Sequence, residues 1–260
     1  MQSVDEQVRI LRASNEHLRA VARRLNFSWS KEKLDDERRL HNKYAQNLFA
    51  AYVSRESELM DSMFLAIDSR NYLTYALCGR ALIEIVATLR WYIEAKYRPL
   101  LDSKTGDISE LLEIDDRHLR GGRFNWKQFL EGNYEKLASD AASALRSKKT
   151  NKKSETADVT SNPTQINVVT CIDHWTESEP MVKVTYDLFC ELVHPNTGST
   201  LLMAGVHNDE MWFNPEKGKA IAEDIFRRSF PLLCASLRGH SIDLMLLLAT
   251  MFDDDEMTPN

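Results

Sequence analysis

Glycine is scarce along this chain, with nine in 260 residues. Tight turns at positive φ draw on glycine, and both an all-β sandwich and a dinucleotide-binding α/β fold need many such turns. The scarcity disfavours those folds and suits long helices joined by short loops. Hydrophobic residues make up 43% of the chain, enough for a sizeable core. The length admits one large domain or two small ones. The fold expected is mainly all-α: a helical bundle with long antiparallel helices and a small β-hairpin insertion near residues 200–213.

Apolar periodicity marks the helices. Val8, Leu11, Leu18, Val21, Ala22 and Leu25 recur at helical spacing over residues 4–25, with Arg9, Arg12, Arg19 and Arg23 on the other faces. Ser30 is a candidate N-cap for a long helix reaching residue 69, in which Met60, Met63, Phe64 and Ile67 share a face. A third helix is expected over residues 72–97 and stops before Pro99. Residues 102–124 read as irregular, 126–147 as a fourth helix, and 148–165 as a flexible linker rich in Lys, Ser, Thr and Asn. A short apolar run at 166–172 reads as a strand, and a helix follows at 180–193 with Pro180 in its first turn. Leu201-Leu202-Met203 and Met211-Trp212-Phe213 read as hairpin strands turning at His207-Asn208-Asp209. The last helical region, 215–252, should kink or divide at Pro231. The organisation expected is an N-terminal helix at 1–29, a helical bundle domain at 30–252 carrying the linker, and an acidic disordered tail at 253–260.

The net charge of −6 is unevenly spread. Residues 116–153 hold ten Lys/Arg against four Asp/Glu, including Arg117, Arg120, Arg123, Arg146, Lys148, Lys149, Lys152 and Lys153. Such a cluster suits neutralisation of nucleic-acid phosphates; a solvated linker is the bland alternative. The four cysteines are far apart, and Cys78, Cys190 and Cys234 lie in apolar helical contexts, which points to reduced core thiols. The N-terminus lacks a basic and then apolar leader, and the most apolar stretch, 242–252, is short for a membrane span and contains Asp243. A cytoplasmic location with no membrane association is the expectation.

Three constellations bear on chemistry. Stepping by four and three along the third helix places Leu73, Leu77, Arg80, Glu84, Ala87 and Trp91 on one stripe, so Arg80 and Glu84 interrupt an apolar face at i, i+4. A charged pair there is either an internal ion pair that fixes packing or an arginine aimed at a phosphate or carboxylate and oriented by its glutamate. In the helix ending at Pro195, Tyr186, Cys190 and His194 fall at i, i+4, i+8. His194 suits the negative end of the helix dipole, and Glu191 is placed to hold its ring. It reads as a structural cap or as a general acid/base. Finally, Cys171, His174, Cys190 and His194 have the residue types of a closed zinc site, but no CxxC occurs and Cys171 falls in the expected strand. No metal and no cofactor are expected. Walker, G-x-G-x-x-G, G-x-S-x-G and H-E-x-x-H signatures are absent.

The stretches Gly79-Arg80-Ala81-Leu82-Ile83-Glu84 and Tyr186 to Asn196 together resemble the HEPN superfamily. More closely, they resemble uncharacterised HEPN-like bacterial proteins with an Arg-x3-Glu helix and a later Tyr…His-Pro helix end. The resemblance covers about half the chain. It implies a bundle of about four helices, often dimeric. Many members are metal-independent ribonucleases of toxin–antitoxin, anti-phage or RNA-processing systems, with an Arg four to six residues before a His at a dimer interface. Here no Arg precedes His194 within its helix, so Arg80 would supply the positive charge from another helix. The resemblance implies His194, Arg80 and Glu84 as catalytic residues. With the basic segment, it implies Tyr186, Glu191, Asn196, Arg117, Arg120, Arg123, Lys148 and Lys149 as binding residues. An RNA substrate, a protein partner or antitoxin, and a homodimer follow. The contrasting reading is a non-catalytic dimeric helical interaction module in which Arg80, Glu84 and His194 are structural.

Overall fold

The computed structural model describes residues 3–25, 37–97, 112, 126–151, 167–194, 204–207, 210–240 and 243–245, with backbone alone at 38, 95–97, 126, 144–151, 204–207, 210–212 and 215. The chain forms two compact units, one made of residues 1–115 and 167–260 and the other of 116–166. Several sequence expectations fall outside the described residues: the Ser30 cap, the irregular segment around Arg117, Arg120 and Arg123, the linker from residue 152, Asn196, Leu201–Met203 and the acidic tail.

The larger unit is helical. Helix α1, Val4–Ala22, is capped by Ser3, whose Oγ accepts from the Glu6 N–H at 3.2 Å. It lies on α2, Glu37–Asp68, through polar contacts. Arg12 pairs with Asp68 at 2.6 Å and stacks over the Phe64 ring, and Arg19 pairs with Asp61. The arginines expected to fill the outer faces therefore help hold α1 in place. Arg70, at φ 55, turns the chain, and the Asn71 side chain accepts from the Thr74 N–H to start α3, Tyr72–Trp91. The short turn makes α2 and α3 an antiparallel pair.

Helix α3 is the centre of the unit. It packs against α2, against α6 (Val168–Ser178), against α7 (Pro180–Val193) and against α8 (Pro215–Ser236). Tyr75, Leu82, Ile83, Val86 and Leu89 are buried along it. The stretch 72–94 is long and apolar enough to cross a membrane, but 56% of its most apolar window is buried inside the protein. Tyr75 ties three helices together. Its ring meets Phe189 of α7 and Phe226 of α8 edge-on, with centroids 5.6 and 5.1 Å away, and its hydroxyl lies 3.1 Å from Ser229 Oγ. Burial of such rings contributes roughly 1.5–3 kcal/mol each.

Several expectations need correction. The third helix is α-helical only to Trp91 and continues as a π-helical turn, Tyr92–Tyr97. From Val168 the run expected as strand at 166–172 is helix: the Asn167 side chain accepts from the Val169 N–H and opens α6, which buries Cys171, Ile172 and Trp175. Pro231 does not divide α8. The helix passes through it with Phe230 and Leu233 fully buried on either side, so packing outweighs the lost backbone hydrogen bond. The helix ends at Ser236, followed by a turn with Gly239 at φ 93.

Residues Ala204–His207 (β1) and Glu210–Phe213 (β2) pair antiparallel, Ala204 opposite Phe213 and His207 opposite Glu210. Two four-residue stretches are marginal as a sheet and add no layer to the fold, so the expected β insertion is not an architectural element and the class is helical.

In the smaller unit the expected fourth helix is two: α4, Trp126–Leu130, and α5, Tyr134–Asn151, separated by a turn with Gly132 at φ 74. The positive φ breaks a pattern that otherwise reads as continuous helix. Helix α5 runs through Lys148 and Lys149, which the linker reading had placed in irregular chain. The unit carries ten Lys/Arg against six Asp/Glu, so the basic cluster and the compact unit coincide.

Candidate functional site

The α3–α7 interface brings Arg80 and Glu84 together with Tyr186. Arg80 and Glu84 sit one turn apart on α3, and the Arg80 Nε–H donates to Glu84 Oε1 at 2.9 Å. The same oxygen accepts from the Tyr186 hydroxyl at 3.1 Å, across 102 residues of sequence. The Arg80 guanidinium lies over the Tyr186 ring, 5.6 Å from its centroid.

Over its first turns the stripe that carries the pair is not the core face of α3, although Ala87 further along it is fully buried. Leu73 and Leu77, which share it, are 38% and 49% exposed, while the side chains of Arg80 and Glu84 are 29% and 27% exposed. The charges therefore lie at the boundary of the core, where desolvation is modest and a paired arginine is tolerated. Gly79 allows the close approach behind it: a Cβ there would lie 2.6 Å from the Phe189 ring.

The electrostatics follow from this arrangement. Burial and the nearby Glu84 carboxylate push the Tyr186 phenol up to about 12, against a smaller opposite pull from Arg80. Burial is the largest single influence and opposes the charge on Arg80, but its hydrogen bond to Glu84 together with the nearby Cys190, Glu84 and Tyr186 more than offsets it, so the guanidinium titrates above its ordinary value. The tyrosine thus stays a neutral donor and the arginine a fixed cation. Among the described residues the terminal Nη atoms of Arg80 carry no hydrogen bond. With Nε held and the plane stacked on a ring, the guanidinium is pre-set to meet an oxyanion through those two nitrogens.

Two residues that the sequence reading did not single out for this role complete the surroundings. Lys183, one turn before Tyr186, pairs with Asp187 at 3.1 Å and places its ammonium 5.8 Å from the Tyr186 ring. Cys190, one turn after, is close enough to interact with both Tyr186 and Arg80. Their spacing of three and four from Tyr186 was the available signal.

His194 is not part of the cluster. It caps α7 with extended backbone, φ −78 and ψ 146, and its backbone N–H donates to the Cys190 carbonyl at 3.0 Å. The conformation is what a residue before proline adopts. Among the described residues its ring makes no hydrogen bond or ion pair, with Glu191 or otherwise. It stands two turns beyond Tyr186, about 12 Å along the helix axis. The side chains of Lys148 and Lys149, like Arg117, Arg120, Arg123 and Asn196, lie outside the described residues.

All four cysteines are free thiols, and Cys171 and Cys78 are buried within the helical core. Burial pushes the Cys171 thiol up to about 11. Among the described residues no three His, Cys, Asp or Glu side chains gather as metal ligands. No protein-family model matches the chain, and no curated protein or solved structure is significantly similar to it.

Proposed function

We propose that this chain is a HEPN-like helical protein that binds RNA in the cytoplasm, with Arg80 as a phosphate contact. The observation that carries the reading is the held guanidinium: Glu84 and Tyr186 fix its orientation and, among the described residues, leave both Nη atoms without a partner. A pre-oriented arginine is the usual device for a phosphate oxygen pair. The smaller, basic unit supplies the charge expected of a protein that tracks a nucleic-acid backbone. A role in toxin or anti-phage systems, as a homodimer, follows from the resemblance. In a cleaving member, His194 would carry the proton of the attacking or leaving hydroxyl.

A second reading has its own support. The His194 ring has no bond to Arg80 or Glu84, so the Arg80–Glu84–Tyr186 group also fits a clasp between α3 and α7 in a non-catalytic module.

The test is direct. The pure protein is titrated into a fluorescent single-stranded RNA, and RNA integrity is followed in parallel. Binding weakened about tenfold or more by Arg80→Ala supports the phosphate contact; equal binding of both proteins removes it. RNA left intact by wild type and His194→Ala alike removes cleavage and leaves binding to stand or fall on Arg80.

A further inference from the structure

A cavity of about 460 Å³ opens between α1, α2 and the end of α8, away from the α3–α7 face. Its volume is in the range of small-molecule sites. Leu11 and Leu18 of α1, Met60 of α2, Leu237 and Leu244 give it apolar walls.

Its polar groups are buried and specific. The side chains of His240 and Glu56 are 4% and 5% exposed and meet at 2.7 Å through Nε2 and Oε2, although 184 residues separate them. Asn15, 1% exposed, is the single buried residue of α1. Its Nδ2 donates to Asp61 Oδ1 at 2.7 Å and to the Ser57 carbonyl at 3.4 Å. Only the amide nitrogen can donate to two acceptors, so the amide orientation is fixed and Oδ1 is the other end. Among the described residues that oxygen has no partner, and neither has Nδ1 of His240. When the His240 Nε2–H donates to Glu56, Nδ1 is an acceptor as well.

The polar inventory is therefore rich in acceptors: the Asn15 oxygen, the Glu56 carboxylate and the second imidazole nitrogen. Buried acceptors left unpaired cost roughly 1–3 kcal/mol each, and native proteins leave few of them. The two unpaired atoms expose no surface to the cavity, so the group a ligand meets there is the Glu56 carboxylate, which calls for a cationic N–H donor, and the walls require an apolar body. Arg238 also lines the cavity, but unlike Glu56 it is an exposed residue. We propose that this cavity is a binding site for a small primary amine with an apolar body. Its ammonium is directed at Glu56, and its hydrocarbon lies among Leu11, Leu18 and Met60. The site is independent of the RNA reading.

The probes are 2-phenylethylamine and, as its counterpart of opposite charge, 3-phenylpropionate. Saturation-transfer NMR and thermal shift are run on the full chain at ligand concentrations of about 1 mM, suited to weak complexes. The amine is expected to bind and raise the Tm, and the carboxylate to bind at least about tenfold more weakly. Glu56→Gln keeps a hydrogen-bonding side chain beside His240 and should weaken the amine about tenfold. Leu18→Trp fills the cavity from α1 and should abolish binding without touching the polar group, which keeps the test alive if the Glu56 variant fails to fold. Absence of any amine signal, equal or better binding of the carboxylate, or amine binding unchanged in Leu18→Trp overturns the proposal.

Discussion

Gly79 of α3 lies so close to Phe189 of α7 that a Cβ on it would sit 2.6 Å from the ring. The ring is fully buried and also meets Tyr75, so it has little room to yield. Gly79→Ala gains roughly 1 kcal/mol of helix propensity, but overpacking costs roughly 1–3 kcal/mol. The clash with a locked aromatic decides the sign. The expected outcome is a lower Tm, read by circular dichroism, with Gly79→Ala/Phe189→Leu recovering part of the loss. A Tm equal to or above wild type would show that α3 and α7 separate easily.

Glu56 and His240 form a buried pair whose members have different tolerances. Glu56→Ala leaves the imidazole among apolar neighbours and should cost about 2–4 kcal/mol. Glu56→Gln keeps a hydrogen-bonding group and should cost less than half as much. Urea denaturation midpoints at neutral pH compare the two. Equal losses would mean that packing, and not the polar contact, sets the cost.

Tyr186 links stability to alkaline pH. Its folded value is pushed up to about 12 from an ordinary 10. Above pH 10 the unfolded chain releases this proton and the folded chain does not. The stabilisation is therefore fully present below pH 10 and is lost as pH rises toward 12. Tyr186→Phe should lower stability at pH 7 through the lost Glu84 hydrogen bond, yet flatten the decline between pH 10 and 11.5. Parallel curves for the two proteins in that window would remove Tyr186 as the source.

If Arg80 neutralises one phosphate, its loss has a signature in salt. For single-stranded RNA the slope of log K against log salt falls by about 0.7 per contact. Arg80→Gln should reduce the slope by that amount as well as weakening binding. A weaker affinity with an unchanged slope would indicate damage to the α3–α7 packing instead.

The sequence made some of this legible for identifiable reasons. Pro180 and Pro195 bracket α7, and the helix runs Pro180–Val193 as their chemistry demands. The grouping of Arg80 with Glu84 followed from helical spacing, and Tyr186 joins them. Other features were hidden. Val168, Val169, Thr170, Cys171 and Ile172 form a run, β-branched except for Cys171, that is too short for periodicity to separate strand from helix; the Asn167 cap was the overlooked clue. The stripe through Arg80 read as core because Leu73 and Leu77 are apolar, but apolar residues are common on surfaces. His194 fell on the right stripe but two turns too far along it. Glu56 and His240 had no local signal, since each acquires its meaning from a partner 184 residues away.

The placement of the smaller unit has a consequence for the nascent chain. Residues 116–166 interrupt the larger unit between α3 and the helices that cover it. Leu82, Ile83, Val86 and Leu89 are made before α6 and α7 exist. At ribosomal speeds of about 5–20 residues per second, the roughly 75 residues between α3 and α6 take about 4–15 s to synthesise. For that interval α2 is the cover available to α3, so the emerging polypeptide spends seconds with an oily helix half dressed. Chaperone dependence during translation should therefore depend on the length of this insertion more than on the stability of the finished fold.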